Sequence, residues 1–115
     1  MKSLLLFLLA AVTVGAATPA REIEMLLGAL GRLDGAVFIR NGSEHSATDA
    51  EAHLRMKWDR QKDQIKTAED FIVRCGSKSS QSGQRYEIRL KDGQKIFADE
   101  FLHAELKKLR GAKSP

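Results

Sequence analysis

At 115 residues the chain is long enough for one small domain and no more. Its single cysteine, Cys75, excludes an intramolecular disulfide and leaves three readings: a buried inert thiol, an intermolecular bridge or a reactive nucleophile. A net charge of +4 is mild; it favours anionic neighbours such as lipid head groups or wall polymers, although mixed charge along a chain is most often a solvated surface.

Residues 1–17 read as a signal peptide. Lys2 supplies the positive start, the run from Leu4 to Val12 the apolar centre, and Gly15, Ala16 and Ala17 the small residues a signal peptidase reads. That run is too short to span a bilayer comfortably, so a cleaved leader is preferred to an anchor. Cleavage is placed after Ala17, with Ala20 as the alternative. No cysteine follows the run to carry a lipid. Loss of Lys2 lowers the net charge from +4 to +3. The expectation is a periplasmic protein whose residues 18–115 form a single domain with no transmembrane segment.

Thr18 and Pro19 have the residue types of a helix cap and first turn. Ile23, Leu26, Leu27 and Leu30 follow at helical spacing, and Gly31 and Gly35 end the helix with Leu33 as a packing anchor between them. Gly28 weakens it. The short apolar run Ala36–Ile39, bounded by Gly35 and the turn residues Asn41 and Gly42, predicts a strand. Ser46 with Asp49 resembles a capping box for a second helix. Ala47, Ala50, Leu54, Trp58, Gln61 and Ile65 make one face of that helix, His53 and Lys57 share its flank, and Arg55, Asp59, Lys62, Asp63 and Lys66 face water.

Thr67 caps a third helix, with Glu69 and Asp70 in its first turn. Its apolar stripe is Ala68, Phe71, Ile72 and Cys75, so the thiol reads as core, and Gly76 reads as the C-terminal glycine. Residues 77–83 are polar and flexible by composition. Tyr86 to Leu90 alternates as a half-buried strand. A three-residue loop at Lys91, Asp92 and Gly93 sets Ile88 opposite Ile96, whereas a two-residue turn would set Ile96 against Arg89. Asp99 caps a last helix whose Leu102, Leu106 and Leu109 point inward, with Lys107, Lys108 and Arg110 at its negative end. The predicted class is α+β, with four helices packed on a small, mainly antiparallel sheet in the order α-β-α-α-β-β-α.

Phe38-Ile39-Arg40-Asn41-Gly42, His45, His53-Leu54-Arg55 and Lys57 together resemble the YfeK-like family of small exported bacterial proteins. Thr67-Ala68-Glu69, Phe71-Ile72, the Ser79–Ser82 block with Gly83 and Tyr86, and Phe101-Leu102 continue the pattern over nearly the whole mature chain. The resemblance implies export and the extent of the domain. It brings no reaction, ligand or catalytic residue, and its pattern does not require Cys75.

Arg40, Asn41, His45, His53, Lys57, Glu69, Ser80 and Tyr86 are candidates to line one cleft beside the Asn41–His45 turn. Each also has an ordinary structural use, as turn, helix-end charge or core aromatic. His45 and His53 are eight apart and lack a third ligand, so neither a metal nor a cofactor is expected. A His paired with Glu69 could do acid–base work on wall material, but no nucleophile motif or paired carboxylates accompany it. One Trp and one Tyr offer no stacking platform for nucleic acid, despite a pI of about 9.4. The leading expectation is therefore a non-catalytic binding or accessory module of the cell envelope, engaging an envelope protein or anionic envelope component. A small envelope hydrolase using His45 or His53 with Glu69 is the alternative.

Overall fold

A computed structural model describes residues 17–111, so the signal-peptide reading of residues 1–17 lies outside the described residues apart from Ala17. The first helix, α1, spans Pro19–Gly31 and begins where Thr18 Oγ1 accepts the Arg21 N–H at 3.2 Å. Its Ile23, Leu26, Leu27 and Leu30 are buried, which offsets the cost of Gly28.

Strand β1, Val37–Arg40, turns at Asn41 and Gly42 and returns as β2, Ser43–Ser46. Both turn residues have positive φ, +51° and +79°, the geometry that lets a two-residue hairpin follow strand twist. β2 is one strand more than the sequence predicts. Its residues, Ser-Glu-His-Ser, carry no apolar alternation, and it exists because the turn sets it beside β1 with Phe38 opposite His45.

Helix α2, Ala47–Arg60, starts at Ser46, whose hydroxyl accepts the Asp49 N–H at 3.1 Å. It stops at Arg60, short of the predicted face, and a 3-10 turn over Lys62–Gln64 carries Ile65 into the core independently. Thr67 then caps α3, Ala68–Phe71. Thr67 Oγ1 accepts the Asp70 N–H at 3.0 Å while the Asp70 carboxylate accepts the Thr67 N–H at 3.1 Å. The chain continues without a break into a π turn, Ile72–Gly76.

Gly76 does not take the left-handed conformation expected of a helix-ending glycine. Its reason is room: a Cβ there would stand 2.5 Å from Leu102 Cδ1 in the core. Gly76→Ala is therefore expected to cost about 1–3 kcal/mol through overpacking, read as a shift in the denaturant midpoint; a neutral substitution would contradict this contact.

Strands β3, Glu87–Arg89, and β4, Lys95–Phe97, pair with Ile88 opposite Ile96, the register that the longer loop requires. Gly93 in that loop has φ +94°. The sheet is antiparallel throughout, in the order β2-β1-β3-β4. Helix α4, Ala98–Gly111, follows β4 directly. Asp99 is thus inside the helix rather than its cap, and its carboxylate receives Arg85 at 2.8 Å.

The described residues have the α+β architecture the sequence predicts, with four helices and a small antiparallel sheet. One face of the sheet carries the cross-strand row His45, Phe38, Ile88 and Ile96 toward the helices. Leu54, Trp58, Phe71, Ile72 and Cys75 meet there in one core with α1 and α4. Burial pushes the Cys75 thiol up to about 11, which makes it a core residue and a poor nucleophile at neutral pH. No helix among the described residues is long and apolar enough to cross a membrane.

Candidate functional site

α2 presents His53, Met56, Lys57 and Arg60 at i, i+3, i+4 and i+7, one stripe of the helix. β1 ends beside this stripe at Arg40, on the same side of the pleat as Phe38. The chain from Ser79 to Tyr86 closes the third side. Together these elements enclose a hollow of about 260 Å³ lined by Arg40, His53, Lys57, Arg60, Ser80 and Tyr86, with Met56, Ser79 and Gln81 at its margins.

The Ser79–Gly83 stretch is not the loose loop its composition suggests. Ser79 is buried, and its hydroxyl accepts the N–H groups of Gln81 at 3.1 Å and Ser82 at 3.3 Å. It also accepts the Asn41 side-chain amide at 3.1 Å, while the Ser82 hydroxyl donates to the Asn41 carbonyl oxygen. Asn41, a predicted member of the cleft, instead ties the hairpin turn to this loop, and it is Ser79 that holds the loop while Ser80 faces the hollow.

Lys57 is only 6% exposed. Its ammonium donates to the Tyr86 hydroxyl at 3.0 Å and the Lys78 carbonyl at 3.1 Å, and it lies over the Tyr86 ring, 5.0 Å from the centroid. The Tyr86 hydroxyl and an Arg40 N–H both stand 3.4 Å from His53 Nε2. With Lys57 donating to Tyr86, that hydroxyl is oriented to donate to an unprotonated Nε2, and Arg40 donates to the same nitrogen.

His53 is held neutral by this arrangement. Burial, then the charge of Arg40, then Lys57, His45 and Arg60, lower its pKa to about 4. Because the unfolded chain takes up this proton near 6.5 and the folded chain does not until about 4, stability present above pH 6.5 is lost as pH falls through that window. His53→Gln is expected to flatten the pH dependence of the denaturant midpoint between 6.5 and 4. An unchanged slope would contradict the burial of this imidazole among cations.

Among the described residues, none of Arg40, Lys57 and Arg60 pairs with a carboxylate, whereas Arg55, Arg85, Arg89 and Arg110 each do. Single unpaired cations are ordinary on a surface; a buried ammonium and two guanidinium groups converging on one hollow are not.

Glu69 does not join the cleft. It meets Arg110 of α4, which also binds Glu22 through two hydrogen bonds of 3.0 Å. The Arg110 guanidinium holds the Glu69 carboxyl below the usual carboxylate range. Arg110 therefore clamps α4 to α3 through Glu69 and to α1 through Glu22, and the His–Glu acid–base pair considered from the sequence is not assembled. Among the described residues, no three His, Cys, Asp or Glu stand together in a metal-holding group. The cleft thus gathers Arg40, His53, Lys57, Ser80 and Tyr86, with His45 behind it and Asn41 supporting its wall. Arg60 and Met56 were missed, although both fall on the helical repeat of His53.

The site and fold define a small α+β domain with a cation-lined cleft between its sheet and second helix. The chain belongs to the family of unknown function DUF5329, whose model matches residues 17–110. It is also similar to the uncharacterized protein YfeK of Salmonella typhimurium, being 40% identical over 84 residues, 73% of this chain and 69% of that protein. No solved structure matches it. The YfeK-like resemblance read from the sequence blocks is thereby established.

Proposed function

We propose that this protein is an exported, non-catalytic binding or accessory module of the cell envelope whose cleft holds an anionic group. The supporting observation is the convergence of Arg40, Lys57 and Arg60 on one hollow without a carboxylate partner, with Lys57 buried. The Lys57 ammonium is desolvated in advance and Arg40 is half-buried beside it, so an entering carboxylate or phosphate gains charge-assisted hydrogen bonds there, with the exposed Arg60 and Ser80 at the mouth. His53 adds to this: burial first and the surrounding cations second keep it neutral, and a bound anion offsets the cations' repulsion, so affinity rises as pH falls toward the His53 pKa. The anionic group belongs to an envelope component or to an envelope protein. The apolar leader read at residues 1–17 supports the periplasm as the compartment.

Titration of the isotope-labelled protein with inorganic phosphate and with acetate tests the cleft. Chemical-shift changes are expected to cluster at Arg40, His53, Lys57 and the Ser79–Gln81 segment and to saturate. Changes spread evenly over the surface, or none, would contradict the reading. Fractionation of cells expressing the full chain is expected to recover a shortened protein in the periplasm; full-length protein in the cytosol would overturn export.

A further inference from the structure

Beside the cationic hollow lies a second one of about 340 Å³ that shares Arg40, His53 and Met56 with it. Its character differs. Phe38, Ala50, Ala52 and Met56 give it an apolar floor and rim, and Met56 is among the few large apolar side chains of the described residues left exposed. Two polar groups interrupt that surface. Asp49 lies in the first turn of α2, and its carboxylate receives no cation among the described residues. His45 stands on β2 opposite Phe38, so its ring turns inward beneath α2. Its Nε2 is buried and meets no hydrogen-bond partner among the described residues. A buried ring nitrogen left unmatched is costly, so a turn of the half-buried His45 ring that brings it to a ligand's polar group in the hollow is favoured.

We propose that the two hollows are one bipartite site for an N-acylated amino acid, free or at the carboxyl end of a peptide. This rests on the anion-binding reading above and adds the body of the ligand to it. The carboxylate lies among Arg40, Lys57 and Arg60. The small apolar side chain covers Ala50, Ala52 and Met56. The amide N–H donates to the Asp49 carboxylate, and the amide carbonyl faces the His45 ring. A second acidic group is excluded there, because Asp49 would face it unscreened. A long acyl chain is also excluded, since a hollow of this size sits at the low end for small-molecule sites.

Calorimetric titration with acetate, inorganic phosphate, N-acetylleucine and N-acetyl-alanyl-leucine decides the matter, with the His45 and His53 ring resonances followed in parallel. N-acetylleucine or the dipeptide is expected to bind at least tenfold tighter than acetate and to move both imidazoles; which of the two is tighter separates a free acid from a peptide end. Ala52→Phe, which fills the second hollow from the exposed side of α2, is expected to erase that tenfold preference. Esterifying the carboxylate is expected to abolish binding. If acetate and phosphate bind as well as the acylated acids and His45 does not respond, the bipartite site is overturned while the anion cleft stands. If no anion binds at all, both fall.

Discussion

Lys57→Met is expected to lower anion affinity about 10- to 100-fold while leaving the fold as stable as before or stabilising it by up to about 2 kcal/mol. The reasoning turns on burial. The Lys57 ammonium has left water, yet it meets a phenol and a peptide carbonyl rather than a carboxylate. Two neutral acceptors do not offset the desolvation of a full charge. Methionine has a similar reach and no charge, so it keeps the packing against Tyr86 and removes the cost. Tyr86 retains His53 as a partner, and the Lys78 carbonyl belongs to an exposed residue. A site group whose removal strengthens the fold and weakens the binding is held for its chemistry. Denaturant titration and calorimetry on one preparation read both quantities. A variant that binds normally and loses 2–3 kcal/mol or so of stability would make Lys57 a structural residue instead.

Phe71→Ala is expected to cost about 3–5 kcal/mol, most of the stability of a domain this size. Phe71 is fully buried and meets the Trp58 ring edge-on, with centroids 6.1 Å apart at 72°. It sits at the end of a helix of four residues, Ala68–Phe71, which has no independent helical stability. Removing the ring therefore opens a cavity between α2 and α3 and unseats the turn that carries Ile72 and Cys75 into the core. Urea unfolding and the near-ultraviolet signal of Trp58 are the measurements. A loss below about 1 kcal/mol would mean that the core does not close around this residue.

Much of this core was legible because its signals are local. The Thr67 cap, the Ala68–Cys75 stripe and the match of Ile88 with Ile96 each lie within a few residues of chain, and each is present as read. The misreadings share a physical cause: they depend on what arrives from elsewhere. Ser43–Ser46 has no strand pattern of its own and takes its form from the hairpin turn and from β1. Gly76 is a glycine because Leu102, from another helix, occupies the space. Glu69 looked like half of an acid–base pair, yet its partner is Arg110 on the last helix, and nothing near Glu69 in sequence announces it.

The cleft was partly legible for the same reason. Residue types at His53, Lys57 and Tyr86 suggested convergence, and the fold joins them through one hydrogen-bond chain. Arg60 needed only the helical repeat carried one turn beyond Lys57. The role of Ser79 was beyond reach, because a serine in a Ser/Gly-rich loop does not reveal that it will be buried as the knot of that loop.

The most direct test of the cationic cleft is the titration of the His53 imidazole by NMR, with and without saturating phosphate. Arg40 from β1, His45 from β2, and Lys57 and Arg60 from its own helix all face it with positive or protonatable groups. The free protein is expected to titrate near 4, and bound phosphate is expected to move the midpoint upward toward the ordinary 6.5. A midpoint already near 6.5, unmoved by phosphate, would contradict both the electrostatics of the cleft and its role in holding an anion.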